Sequence, residues 1–185
     1  MIVLAALRTE LLFVRGPQAC VGLGARRWPG VAARLRRHPP RAAVVLGFSG
    51  GLRGELLPGT LVVASGLHGE GELRPSPTMV ELAQGALPEA RVGHIHTATR
   101  PAAPQQKARL GLDSLAVDME SARLAEALEE MRIPWLVVRV ILDALWENVP
   151  EWGSRVRWAA RALYCARRLG GASRRLAPQV VEAAA

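Results

Sequence analysis

Apolar residues fall in short unbroken runs separated by amphipathic stretches. Residues 1–7, 42–48, 60–65 and 135–142 are nearly continuous apolar runs of strand length, the pattern of strands buried on both faces, and 90–96 is a more mixed one. Residues 31–37, 77–87, 121–131 and 154–169 read as helices. Strands alternating with helices predict an α/β fold: a three-layer α/β/α single domain with a mostly parallel central mixed sheet. At 185 residues the chain can bury one core but not two full ones. No repeat or linker interrupts residues 1–170, which form the expected domain. After Gly170-Gly171 the chain is Ala-rich with few large apolar groups, so residues 171–185 are expected to fray or to end in a loose helical turn.

Composition narrows the class. Apolar residues make up 50% of the chain, yet no run reaches the roughly 20 residues of a membrane span. Residues 1–7 lack a preceding basic region, so a cytoplasmic location is expected. Cys20 and Cys165 are too few for a disulfide framework and lack zinc-site spacing, and are read as free thiols with no metal. The net charge of +8 raises the question of nucleic acid. Of the 24 basic residues only Lys107 is lysine, and the accompanying use of Ala, Gly and Pro points to coding bias. Much of the excess lies in two helices, with Arg26, Arg27, Arg34, Arg36 and Arg37 in one and Arg155, Arg157, Arg161, Arg167 and Arg168 in the other. Interleaved Trp and Leu give these the look of solvated faces over a core, and no nucleic-acid partner is expected.

Ligands of such sheets bind beyond the carboxyl ends of the strands. Glu10 follows the first run, Ser49-Gly50-Gly51 the second, Thr97 to Arg100 a later one, and Asp143 the last. A glycine pair there lets backbone approach a ligand, although alone it equally describes a tight turn. Asp118 and Glu120 read first as charges complementing a helix N-terminus, and Asp143 as a cap or turn residue.

Longer motifs change that balance. Val44-Val45-Leu46-Gly47-Phe48-Ser49-Gly50-Gly51-Leu52 is followed by Leu57-Pro58-Gly59-Thr60-Leu61-Val62-Val63. Later, Ala116-Val117-Asp118-Met119-Glu120-Ser121-Ala122 precedes Ile133-Pro134-Trp135 and Arg139-Val140-Ile141-Leu142-Asp143. In this order these blocks resemble the nucleoside phosphorylase and nucleosidase superfamily, whose members cleave the bond between a ribose and a base. The resemblance implies a phosphorylase/hydrolase-like fold, no cofactor and a purine nucleoside as small-molecule partner. Carried across, Glu120 would bind the ribose hydroxyls, Met119 would pack on the sugar, and Ser49, Gly50 and Gly51 would line the substrate site. Asp143 would protonate the base as it leaves, its pKa raised by burial beside Leu142 and Trp146. Glu10 would deprotonate the attacking water, a role of the nucleosidase branch.

The expected activity is therefore hydrolysis of a purine nucleoside, with adenine the favoured base. Phosphate-dependent cleavage stays open, because Gly22-Leu23-Gly24-Ala25-Arg26-Arg27 could form an anion pocket. So does an inactive nucleoside-binding protein, because Leu142 stands where the family usually has Ser, and only 11 residues separate Glu10 from Gly22 where relatives insert a hairpin. Thr97-Ala98-Thr99-Arg100 replaces the aromatic segment of methylthioadenosine nucleosidases. The Val-Asp-Met-Glu-Ser motif resembles the hopanoid-associated branch that acts on adenosylhopane. A homo-oligomer, most simply a homodimer, is expected, with Trp146, Trp152 and Trp158 in packing or at the interface. His94 and His96 share a strand face without an accompanying carboxylate or Cys cluster and are read as a solvated or core-edge pair. His68 and Glu70, in a Gly-rich loop, are assigned no role.

Overall fold

The computed structural model describes residues 1–147 and 155–183. Eight strands, β1 (Ile2–Ala5), β2 (Gln18–Cys20), β3 (Ala43–Gly51), β4 (Leu61–His68), β5 (Glu72–Leu73), β6 (Arg91–Thr97), β7 (Ala116–Asp118) and β8 (Trp135–Asp143), form one mixed sheet. Among the described residues five α-helices accompany them: α1 (Trp28–Arg37), α2 (Pro77–Ala86), α3 (Pro104–Leu110), α4 (Ser121–Glu130) and α5 (Arg155–Ala183). Parallel pairs are β1 with β2 and β3, β3 with β8, and β6 with β4 and β7. The antiparallel pairs are β3 with β7 and β4 with β5 and β8. Together, β3, β8, β4, β6 and β7 close on themselves, so the centre of the expected mixed sheet is a small distorted barrel.

The long apolar runs become the buried strands as expected, because both faces are covered. Every residue of β3 except Phe48, and of β8 except Leu142, is buried. One cluster, containing Leu4, Val45, Leu128 and Val137, packs α1 and α4 on one side. Another, containing Leu46, Val138, Leu169 and Leu176, packs α2 and α5 on the other. In α1, Ala32 and Leu35 face the core while Arg34, Arg36 and Arg37 are exposed, the solvated basic face expected of it.

Four differences from expectation have physical causes. The helix expected to end at Leu169 continues to Ala183, which corrects the frayed tail over its described part: Leu176 and Val180 are fully buried. Gly170 does not break it, because a Cβ there would collide with Phe13; glycine permits a close approach. Ser49, Gly50 and Gly51 lie within β3 instead of after it, since Gly50 and Gly51 pair with Val117 and Ala116 of β7. The Ala116–Asp118 segment is correspondingly a strand, and the helix begins only at Ser121. β2, β5 and β7, each of two or three residues, and the seven-residue α3 are too short to leave a periodic signal. Trp146 is 61% exposed and Trp158 sits under the Arg161 guanidinium at 5.0 Å, while Trp152 lies outside the described residues. Among the described residues no helix is long and apolar enough to cross a membrane.

Candidate active site

A cavity of about 350 Å³ opens at the carboxyl ends of β3, β7 and β8. Glu10, Ser49, Gly50, Met119, Glu120 and Asp143, far apart in sequence, all line it. Gly51 does not; a Cβ there would lie 2.9 Å from the Leu56 carbonyl, so its role is to let that loop close over β3.

Glu10 sits in a 3₁₀ turn (Arg8–Leu11) after β1 and is 2% exposed. Its carboxylate accepts the Leu7 and Phe48 backbone N–H groups, each at 2.7 Å. Burial pushes its pKa up to about 7, against the pull of Arg139 and the two backbone donors. A carboxylate fixed by two amides and titrating near neutrality suits a general base.

Glu120 is buried at the end of β7, immediately before α4, and accepts the Gly24 N–H at 2.9 Å. Met119 beside it is half-buried. The Ser49 hydroxyl donates to the Val140 carbonyl at 3.3 Å, which turns it into the sheet. Asp118, although it touches the cavity, is committed to structure. It pairs with the buried Arg139 at 2.7 Å and accepts the Thr97 hydroxyl at 2.8 Å, while Arg139 also donates to Ser121 Oγ. Gly47 makes room for that guanidinium, which a Cβ would overlap.

Asp143 ends β8 at 7% exposure. Burial raises its pKa, as expected, but the neighbours differ from those expected: Trp146 is exposed, and the ammonium of Lys107, paired with Asp143 Oδ2, opposes the shift. Lys107, from α3, is 1% exposed and also donates to the Ala144 and Glu147 carbonyls at 2.8 and 2.9 Å. Sequence reasoning assigned it nothing. Its one signal was being the single lysine in an arginine-rich chain.

Residues 19–166 match the sequence profile described as Phosphorylase superfamily. The chain belongs to the phosphorylase superfamily. No curated protein sequence matches it. Among solved structures it is similar to futalosine hydrolase of Helicobacter pylori strain 26695, at 16% identity and TM-score 0.80, over 96% of each chain. It is likewise similar to the Streptococcus pneumoniae MTA/SAH nucleosidase in complex with 8-aminoadenine, at 19% identity and TM-score 0.78, over 98% of each chain. The Campylobacter jejuni methylthioadenosine/adenosylhomocysteine nucleosidase follows at 15% identity and TM-score 0.73, over 94% of this chain and 98% of that one. At such identities the likeness is one of fold.

Two further features lie outside this cavity. A second cavity, of about 520 Å³, shares Ala6, Leu7 and Leu23 with the first and is lined by Arg8, Arg26 and Arg27. His68, Glu72 and His94, on β4, β5 and β6, bring ligand-type atoms within 4.8 Å of one another. His94 thus meets Glu72 and His68, correcting the expected pairing with His96 and no carboxylate. The two imidazoles stack at 4.6 Å with planes 16° apart, so their lone pairs run side by side instead of converging, and Arg74 holds Glu72 at 2.6 Å. That arrangement suits an ion-pair cluster better than a metal site.

Proposed function

We propose that the protein is a nucleosidase that hydrolyses the N-glycosidic bond of a purine nucleoside, with adenine as the favoured base. The observation that carries the reading is the convergence of Glu10, Glu120 and Asp143 on one buried cavity. In the proposed reaction, water attacks C1′ of the ribose and the glycosidic bond breaks, its electron pair passing to the base. Glu10 takes the proton of the attacking water, and Asp143 gives a proton to the departing base. Glu120 holds the ribose hydroxyls as the sugar flattens toward an oxocarbenium ion, while Met119 packs against it. The complex of the pneumococcal relative with 8-aminoadenine supports a purine in this pocket. A cytoplasmic homodimer is the proposed setting.

The test is release of free base from adenosine, inosine, methylthioadenosine, adenosylhomocysteine and adenosylhopane in phosphate-free buffer. Asp143→Asn should lower that release by about 100- to 10,000-fold. A second reading, phosphorolysis, is favoured by Arg8, Arg26 and Arg27 around the adjoining cavity. It predicts no turnover without phosphate and accumulation of ribose 1-phosphate with it. Binding of nucleosides without turnover under either condition would identify an inactive binding protein.

A further inference from the structure

Twenty-three of the 24 basic residues are arginine, and the exception is the one buried against the proposed leaving-group acid. The site explains the choice. Three acceptors converge on the Lys107 nitrogen, namely Asp143 Oδ2 and the carbonyls of Ala144 and Glu147, matching the three N–H bonds of an ammonium. A planar guanidinium directs its donors outward in a fork and cannot serve three acceptors around one nitrogen. The stem is equally constrained: a Cβ on Gly50 would stand 3.1 Å from Lys107 Cε.

We propose that Lys107 is the positioning residue of the acid, tying Asp143 Oδ2 so that the other carboxyl oxygen meets the departing base, and tuning the acid's hold on its proton by its fixed charge. The proposal rests on the reading of Asp143 as proton donor. Three charged groups act on Asp143 from the elements packed around it: Lys107 from α3, Glu147 after β8, and Arg161 from α5. Glu147 and Arg161 are themselves paired at 2.7 Å and act on Asp143 in opposite directions, and Lys107 is the largest influence opposing burial. No proton leaves Lys107 in this scheme; the proton given to the base is the one on Asp143, restored from solvent after product release.

The experiment follows the Asp143 carboxyl by ¹³C NMR across pH in the full chain, for wild type, Lys107→Met and Lys107→Gln. Removing the cation leaves burial unopposed, so the Asp143 pKa should rise by about 1–3 units. The alkaline limb of kcat should rise with it, while KM stays within about twofold, as expected for an effect confined to proton transfer. A folded variant with an unshifted Asp143 titration would overturn the proposal. Wild type offers a test that needs no substitution: the Lys107 ¹⁵Nζ resonance should step at the pH where Asp143 titrates, and its failure to do so would equally overturn it. Both readouts are independent of turnover, so an Asp143→Asn protein with undiminished activity would refute the acid role separately.

Discussion

The Gly24 backbone N–H donates to Glu120 Oε1 at 2.9 Å, joining two segments 96 residues apart. Gly24 reaches that position with φ of 59°, a left-handed conformation that glycine adopts without strain. The proposed ribose-binding carboxylate is therefore oriented by a backbone amide of a distant loop. Glu120→Gln should lower kcat/KM by about 100-fold through misplaced ribose. Gly24→Val, whose branched side chain opposes that φ, should reproduce part of the loss. Steady-state kinetics with matched thermal melts check both.

Glu10 links activity to stability with opposite signs. Its carboxyl titrates at about 7 in the folded chain against 4.5 ordinarily, because burial penalises the charge. The folded state therefore holds this proton more tightly than the unfolded one, and the stability this confers is lost as pH rises from about 4.5 through about 7. The loss amounts to about 3 kcal/mol. Urea unfolding at about pH 5 and about pH 8 should show that decline in wild type and a flatter profile in Glu10→Gln. Hydrolysis needs the ionised base, so kcat/KM should rise through the same interval and be abolished by the substitution.

Gly50→Ala tests how tightly the cavity wall is packed. The added Cβ would stand 3.1 Å from Asp143 Oδ2, 3.1 Å from Lys107 Cε and 3.2 Å from Val117 Cγ1. Such overpacking should cost about 1–3 kcal/mol and displace the acid. A fall in kcat of about tenfold or more, with a lowered Tm, is the expected result.

Arg139 is 1% exposed beneath the site and carries the buried pair with Asp118. Arg139→Met should destabilise by about 3–5 kcal/mol, because Asp118 would be left charged without its partner. The double variant Arg139→Met/Asp118→Asn should recover part of that loss, measured by chemical denaturation.

Some of this was legible in the sequence because it is local. A run such as Val44-Val45-Leu46 must be buried on both faces wherever it lies, so β1, β3, β4 and β8 could be read from apolarity alone. Motif order named Glu10, Glu120 and Asp143, and the tertiary structure brings all three to one cavity.

What the sequence could not contain is distance. β7 is a strand only because three residues find partners on β3 and β6, and that pairing closes the barrel and draws the Gly50-Gly51 end of β3 into it. Lys107 lies 36 residues from Asp143 on a short helix with no apolar periodicity to announce it, so its ion pair exists only once α3 folds against β8. Gly170 carries the same lesson. A glycine pair marks a break when read locally, whereas here the missing Cβ admits Phe13, and burial of Leu176 and Val180 stabilises the helix beyond it. Local chemistry determined the strands and the candidate acids and bases; long-range packing decided which of them meet and which charges face them.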